Sequence, residues 1–465
     1  MSFVYAGLAL VVIGLAGFGL LRCILGGRMT LSLFGLIPLS FGVGLGALAL
    51  LGNLTLLVGL RLPWAYAPFL ALALGGVLGL RGATLDRVGM MRVSGAGWVF
   101  VAAILFGAAS VLILSLASPL HAFDARAIWA TKAKMLFYSG TLSSPDFTDP
   151  LRLHPHTRYP LLFPMSEAFL FWLIGGPDDW AVMPLIGLFF PLLLFFSFEM
   201  MRLRCVDINN ALAAPALVAV LPALYSSDGP PYSGYADTPL AMLCCLAFGT
   251  TLRWRETRDG RMLVLAAFLS GLLPLTKNEG LWLAGLNLLL AILPGRASSP
   301  APWTVRRTAA SVASCLAPLI AILLPWFLLR SALLLDQDPN DPFLLSSSSL
   351  LEAHHRLPTV LEFCSKALTG LQPTISSDHF AWGLFWVLFA IAALIAARLR
   401  HTDALLLAGV VLVYFMLLAA AYCVIPTHTP ESFMTKNFFR LCFPIVTVAA
   451  FQIALTWDAL NRLRP

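Results

Sequence analysis

Residues 96 to 118 read AGWVFVAAILFGAASVLILSLAS, and residues 121 to 140, which follow almost directly, read HAFDARAIWATKAKMLFYSG. The first stretch contains no charged residue and has the length, roughly 20 residues, that a helix needs to cross a bilayer. The second stretch places Asp124, Arg126, Lys132 and Lys134 among aromatic side chains. The pair therefore predicts a membrane-spanning helix that ends in a charged loop.

The composition extends this prediction to the whole chain. Of its 465 residues, 59% are hydrophobic and 11% are charged, whereas about 25% are charged in an ordinary soluble domain. Apolar runs recur at 3 to 25, 31 to 60, 63 to 80 and 180 to 200, and they continue beyond. We therefore expect an all-α polytopic membrane protein. The first run lacks the features of a cleaved signal peptide, and the run 31 to 60 is either one long helix or a hairpin.

The arginines indicate how the chain crosses the membrane. The net charge of +7 arises mainly from arginines in short loops between apolar runs, which is the pattern of cytoplasmic loops and gives no reason to expect nucleic acid. This pattern predicts about 13 transmembrane helices, with the N-terminus outside and the C-terminus inside. The apolar run 161 to 175 is too short to span, so we expect it to lie in the outer interface or to dip into it.

In this arrangement the polar segments fall on one face of the membrane. They are 119 to 179, 225 to 239, 276 to 280, 330 to 380 and 427 to 440, and they contain all five lysines. The sequence therefore predicts an active site on the outer face. Three regions follow: a transmembrane extension at 1 to 95, a core at 96 to 295 with the outer loop 119 to 179, and C-terminal transmembrane helices at 296 to 465 with the outer loop 330 to 380.

Two acids stand where spans meet the outer face. Asp124 opens a stretch of helical period, which predicts an amphipathic helix with its basic side toward lipid headgroups. Asp237 begins a span and has Tyr235 just before it. Each acid has a second interpretation as a helix N-cap, since Asp is favoured there.

The positive candidates also have second interpretations. Lys277 binds a phosphate or pairs with Glu279, and Arg440 with Lys436, four residues away, binds a lipid phosphate or ordinary headgroups. Arg158 and Tyr159 are expected at headgroup depth beside His156. Because His154 and His156 have no third ligand nearby in sequence, we predict no cofactor and no metal site, although a divalent metal is left open. The adjacent Cys244 and Cys245 are expected to be buried apolar residues.

The order of these motifs resembles the GT-C superfamily of membrane glycosyltransferases. A span leads into an outer loop with Asp124, then come RYPL at 158 to 161, DTPL at 237 to 240 and LTK at 275 to 277. The region 96 to 295 is most similar to enzymes that use polyprenyl-phosphate sugars, such as protein O-mannosyltransferases and the lipid A aminoarabinose transferase. Unlike many members, the chain has Ala125 and not an acid after Asp124, and about three spans precede the acidic loop.

The resemblance implies an inverting transfer of a sugar from a polyprenyl phosphate to a lipid, glycan or protein acceptor. It implies the catalytic residues Asp124 and Asp237 and the donor-phosphate ligands Lys277, Arg440, Lys436 and Arg158. It further implies substrate contacts from Tyr159, Tyr235, Glu279 and His156, and a location in the bacterial inner membrane with a periplasmic site. A lipid or solute transporter, or flippase, is the alternative, and a non-catalytic assembly subunit is a third interpretation.

Overall fold

The computed structural model describes residues 2–26, 31–81, 93–149, 156–205, 207–226, 229–293, 305–333, 347–369, 382–424 and 430–463. Within these ranges the chain forms helices and no strand, which confirms the all-α prediction. The helices are α1 Ser2–Leu25, α2 Leu33–Leu57, α3 Tyr66–Leu80, α4 Gly95–Leu116, α5 Thr131–Ser139, α6 Pro145–Thr148, α7 Leu162–Ile174, α8 Met183–Arg202, α9 Ile208–Ala219, α10 Ala223–Ser226, α11 Asp237–Thr257, α12 Gly260–Thr276, α13 Gly280–Ile292, α14 Val305–Ala332, α15 Ser347–Thr369, α16 Phe385–Leu399, α17 Thr402–Val424 and α18 Pro430–Asn461.

Many of these helices are long and apolar enough to cross a membrane, as the composition predicts. In the described ranges there are eight such stretches: Ser2–Leu25, Leu33–Leu57, Leu62–Leu80, Gly95–Leu116, Met183–Arg202, Ala313–Ala332, Thr402–Val424 and Asn437–Asn461. Five shorter apolar helices accompany them, namely α7, α9, α12, α13 and α16. The chain is thus a membrane-embedded helical protein.

Two ambiguous runs have definite structures. The run 31 to 60 contains the single helix α2, not a hairpin. The run 161 to 175 contains α7, which has only 13 residues, as its length predicts. Residues 162 to 171 of α7 are buried, and the helix packs against α1, α2 and α5. Protein therefore covers most of this short helix.

The first three helices pack through glycines. A Cβ added to Gly17 of α1 would lie 1.7 Å from the carbonyl oxygen of Ser40 in α2, and one on Gly76 of α3 would lie 2.0 Å from the carbonyl oxygen of Leu15 in α1. Small residues permit such close backbone contact between membrane helices. Gly42 of α2 in turn faces Leu246 of α11. The predicted N-terminal extension is therefore packed directly onto the predicted core.

The two ends of the bundle differ in their charges. At one end, Arg204 and Arg255 both bind the carboxylate of Asp403, at 2.5 and 3.0 Å, and Arg261 donates a hydrogen bond of 2.5 Å to the carbonyl oxygen of Leu25. Asp237 begins α11 and lies 18 residues before Arg255, a distance of about 27 Å along a helix. Asp237 is therefore at the opposite end, about one bilayer thickness from the arginine-rich loops.

The C-terminal region covers part of that opposite end. Helix α15 packs on α17 and α18, where the rings of Phe363 and Phe438 lie 5.7 Å apart. Most of the predicted outer loop 330 to 380 other than α15, namely 334 to 346 and 370 to 380, lies outside the described residues.

Candidate active site

Charged side chains from distant parts of the sequence meet at the end of the bundle where α11 begins. Two are acids that sequence analysis singles out, Asp124 and Asp237, and both contact Arg440 of α18. Lys277, directly after α12, contacts Asp237 and Glu279. We call these five residues, Asp124, Asp237, Lys277, Glu279 and Arg440, the charged cluster.

Arg440 joins the two acids. Its Nη2 donates a hydrogen bond of 2.8 Å to Oδ2 of Asp124, and its Nε lies 3.5 Å from Oδ2 of Asp237. The guanidinium also lies 4.3 Å from the centre of the Tyr235 ring, a cation–π contact that helps to hold a desolvated cation in place. A planar guanidinium suits this position because it can direct separate N–H groups toward two carboxylates.

Lys277 connects Asp237 to the third acid. Its Nζ donates to Oδ1 of Asp237 at 2.9 Å and lies 2.5 Å from Oε1 of Glu279. Burial opposes the charged form of Lys277, but the two carboxylates outweigh burial and raise its pKa above the usual value. The lysine is therefore charged at neutral pH. The predicted Lys277–Glu279 pair is present, and it forms only part of a larger network.

Neither aspartate acts as a helix cap. Asp124 precedes a π-helical turn, Ala125–Ala130, and its side chain makes no capping hydrogen bond. Asp237 is the first residue of α11, where the N-cap position belongs to Ala236. The capping interpretations are therefore wrong for both. Turns of the π type are frequent at functional sites.

The two aspartates differ in their access to solvent. The Asp124 side chain is 24% exposed, whereas that of Asp237 is 2% exposed. A ligand can therefore reach the carboxylate of Asp124 directly, while Asp237 is almost fully buried, borders a small cavity and holds Lys277 and Arg440 in position.

A glycine permits the close packing around Arg440. Gly229 has a φ of +97°, and a Cβ at this position would lie 2.3 Å from the Tyr235 ring and 3.1 Å from Cδ of Arg440. Only a residue without a side chain fits this left-handed position against both groups. The glycine-rich segment 225 to 239 thus contributes backbone shape as well as Asp237.

Lys132 binds the backbone of the loop after α6, and its predicted position beside lipid headgroups is wrong. Lys132 does not face lipid headgroups; it is fully buried. Its Nζ donates to the carbonyl oxygens of His156, Thr157 and Tyr159 at 2.7, 3.2 and 2.8 Å. Burial lowers the pKa of Lys132, and the charge of Arg330 acts in the same direction. A signal exists in the sequence, since Lys132 falls on the same helical face as the apolar residues Trp129 and Leu136.

This loop places Tyr159 near the charged cluster. The Tyr159 ring stacks on His156 at 4.7 Å and on Trp129 at 5.6 Å. Burial raises the pKa of Tyr159 to about 12, and the charge of Glu279 adds to the effect. The charges of Lys277, Arg158 and Arg440 act on the same hydroxyl in the opposite direction, which is possible because these side chains lie close to it.

The structure thus brings together most of the predicted site residues. Tyr235 contacts Arg440, and His156 stacks on Tyr159. The charges of Lys277, Glu279 and Arg158 all act on the Tyr159 hydroxyl. The side chain of Lys436 lies outside the described part of the chain. Cys244 and Cys245 are buried, as predicted.

The charged cluster is the main guide to function. No family model, curated protein or solved structure matches this chain. Among the described residues, no group of three or more His, Cys, Asp or Glu side chains is arranged to hold a metal ion. The chemistry of the site therefore follows from its acids and its cations.

Proposed function

We propose that this protein is a membrane glycosyltransferase of the GT-C type, which transfers a sugar from a polyprenyl phosphate to a hydroxyl acceptor. The observation that carries this proposal is the contact of Arg440 with both Asp124 and Asp237, beside Lys277, at one end of a membrane-embedded bundle. An acid that can take a proton and cations that can bind a phosphate are the groups that this reaction needs.

The proposed reaction is a direct displacement. The acceptor hydroxyl gives its proton to the carboxylate of Asp124, which must lie within about 3 Å of that hydroxyl. The acceptor oxygen forms a bond to the anomeric carbon while the bond from that carbon to the phosphate oxygen breaks. Polyprenyl phosphate leaves with the electron pair, and the anomeric configuration inverts. Arg440 and Lys277 stabilise the charge that develops on the phosphate.

The charge balance of the cluster supports an exchange of partners when the donor binds. Three carboxylates, of Asp124, Asp237 and Glu279, face the two cations Arg440 and Lys277. The hydrogen bond from Arg440 occupies Oδ2 of Asp124, an oxygen that could otherwise take the proton of the acceptor hydroxyl. A donor phosphate that draws Arg440 away from Asp124 would free the base only when substrate is present.

The same location favours a transferase over the transport alternative. Asp237 begins α11, Lys277 follows α12 and Glu279 precedes α13, so three of the five charges lie at helix ends. Secondary transporters bind their substrates near the bilayer midplane. A site at one end of the bundle is suited to a lipid headgroup that stays in one leaflet.

We further propose 13 crossings and an outer, periplasmic site in a bacterial inner membrane. The eight long stretches, together with α9, α11, α12, α13 and α16, would make this number. Helix α13 is as short as α7, but it runs from the charged cluster at Glu279 to Leu290, whose carbonyl oxygen accepts a hydrogen bond from Arg255 at the other end.

Two exposed residues test the orientation, Tyr138 in α5, the helix that follows Asp124, and Leu463 beside Arg462 at the other end. A membrane-impermeant maleimide should label Tyr138→Cys in intact cells, and Leu463→Cys only after the membrane is opened. The reverse pattern would place the site in the cytoplasm.

The proposed activity is tested with purified protein and radiolabelled donors. Undecaprenyl-phosphate mannose, glucose, galactose and aminoarabinose are offered with a membrane extract as the source of acceptor, and nucleotide sugars serve as the control. Acceptor-dependent transfer, or slow hydrolysis of one lipid donor, supports the proposal. Transfer from a nucleotide sugar, or accumulation of label inside proteoliposomes without a chemical change, would contradict it.

A further inference from the structure

A small cavity opens beside Asp237 and Arg440, on the side that faces α10 and α16. Its volume of about 10 Å³ is close to the room that a single water molecule needs. The lining residues are Ala223, Leu224, Gly229, Pro231, Asp237, Trp382, Phe439, Arg440 and Phe443.

Three polar atoms of the lining residues are buried without a hydrogen bond in the described part of the chain. They are Oδ2 of Asp237, Nε of Arg440 and Nε1 of Trp382. An unsatisfied buried polar atom is costly, so almost all such atoms in native proteins have a partner, either protein or an ordered molecule. Oδ2 of Asp237 and Nε of Arg440 lie 3.5 Å apart and form an ion pair without a good hydrogen bond, so the indole N–H of Trp382 is the atom that most needs a polar occupant of the cavity.

The types of these atoms restrict the occupant. Arg440 and Trp382 offer N–H donors, while the Asp237 oxygen accepts. An anion would be repelled by the carboxylate of Asp237, and a cation would be repelled by Arg440. A neutral hydroxyl group matches the site, because it can donate to Asp237 and accept from Trp382 or Arg440. Water satisfies the same atoms when no ligand is bound.

The walls of the cavity favour a hydroxyl that is carried on carbon. Trp382 is buried and its ring stacks on Phe439 with centroids 5.9 Å apart. Phe443 and Leu224 supply further apolar surface. A sugar has this combination of a polar hydroxyl and C–H groups that can lie against aromatic rings.

We infer that this cavity, which we call the hydroxyl pocket, binds one hydroxyl of the sugar, and that the Trp382 indole N–H is a specificity-determining group. This inference rests on the proposed glycosyl transfer and identifies one contact within it. The pocket selects sugars that carry a hydroxyl at one ring position, because a sugar without it leaves the buried atoms unpaired.

Trp386 offers a matched control for Trp382. Its ring lies 5.5 Å from that of Trp382, and its Nε1 is also buried without a hydrogen bond among the described residues. Trp386 does not line the hydroxyl pocket. Changing either tryptophan to Phe removes one indole N–H from the same aromatic group, but only Trp382→Phe alters the pocket.

The test compares wild type, Trp382→Phe and Trp386→Phe on undecaprenyl-phosphate mannose, glucose and galactose and on the monodeoxy analogues of whichever sugar is transferred. We expect wild type to lose about 10- to 100-fold in kcat/KM on one deoxy analogue. The Trp382→Phe variant should lose a similar factor in kcat/KM on the parent sugar. It should then use the parent sugar and that deoxy analogue at nearly the same rate, since removing the indole and removing the hydroxyl delete the same interaction. Trp386→Phe should match wild type.

Binding of the same lipids in nanodiscs, measured by thermophoresis, keeps the two proposals separable. Two results would overturn the hydroxyl pocket and leave the transferase in place: Trp382→Phe transfers sugar as wild type does, or it loses the same factor in kcat/KM on every analogue. A third result would support the pocket and contradict the transferase: no sugar is transferred, and wild type, but not Trp382→Phe, binds one deoxy analogue more weakly than the parent sugar. Absence of both transfer and binding would overturn both.

Discussion

Arg440 and Asp124 are separated by 316 residues in the sequence, and Nη2 of Arg440 donates a hydrogen bond of 2.8 Å to Oδ2 of Asp124. This contact joins α18 to the charged segment that follows α4. The other edge of the same guanidinium faces Asp237, so one side chain holds two acids at the mouth of the bundle. In the proposed reaction Arg440 first positions both acids and then turns from Asp124 to the donor phosphate.

Replacing Arg440 with Lys should therefore disable the site even though the charge is kept. A lysine ammonium is a point charge and cannot bridge two carboxylates with separate N–H groups. We expect transfer to fall by about 100-fold or more, measured as kcat/KM on the lipid donor. Arg462→Lys makes the same change at the opposite end, where Arg462 binds Asp458 through Nε and Nη2, and it should leave transfer unchanged. Equal activity of the two variants would remove Arg440 from the reaction.

Replacing Lys132 with Met should destabilise the fold. The change leaves three carbonyl oxygens, those of His156, Thr157 and Tyr159, without their donor. We expect a loss of about 2 to 4 kcal/mol, measured as a lower Tm in nanodiscs. Lys134→Met is the control, since Lys134 pairs with Asp179 where both side chains are about one-third exposed, and such a pair is worth less than about 1 kcal/mol. A Tm loss in Lys132→Met no larger than in Lys134→Met would show that the three bonds contribute little.

Asp403 is expected to matter for stability and not for transfer. It is the shared partner of Arg204 and Arg255, and the Arg255 side chain is almost fully buried. Asp403→Asn should lower the stability by about 3 kcal/mol, because it removes the negative charge that faces the buried guanidinium of Arg255. Asp259→Asn removes an exposed pair with Arg261 and should have little effect. Since Asp403 lies at the end opposite the charged cluster, folded Asp403→Asn should transfer sugar at the wild-type rate. If Asp403→Asn folds normally but transfers sugar more slowly than wild type, the arginine-rich end of the bundle affects the charged cluster, which would contradict this prediction.

The ion pairs of Lys277 predict a specific dependence on pH. Because its pKa in the folded protein is raised above the usual 10.5, its stabilisation is fully present below that value and is lost only as pH rises through the folded pKa. The Tm difference between wild type and Lys277→Met should therefore be constant from pH 7 to 9. It should shrink only above about pH 10.5. A difference that already shrinks between pH 7 and 9 would mean that Lys277 is not held as a cation.

The sequence predicts the class of fold and the members of the site better than their contacts. Apolar length and arginine position mark the membrane helices, and a charge at a span end is conspicuous, so Asp124, Asp237, Lys277, Glu279 and Arg440 are all found from the sequence. Which of these residues pair with one another cannot be predicted in the same way, because a contact between residues 316 positions apart depends on how the helices pack.

The misinterpreted and missed residues show the same limit. Lys132 reads as a surface cation, yet it satisfies backbone carbonyls inside the protein. Trp382 is one of 12 tryptophans in a chain rich in aromatic residues, and only the cavity beside Arg440 distinguishes it. Helical spacing with Trp129 and Leu136 indicates that Lys132 is buried, but the sequence does not indicate which polar groups Lys132 or Trp382 meets inside the protein.

The most direct test of the central claim is the single-turnover rate at which Asp124→Asn transfers sugar from its undecaprenyl-phosphate sugar donor, measured together with the affinity of the variant for that donor. Asn is isosteric with Asp but cannot take the acceptor proton, so we predict normal folding, donor affinity within about threefold of wild type and a rate lowered by about 100-fold or more. A rate near that of wild type would contradict the role of Asp124 as the base.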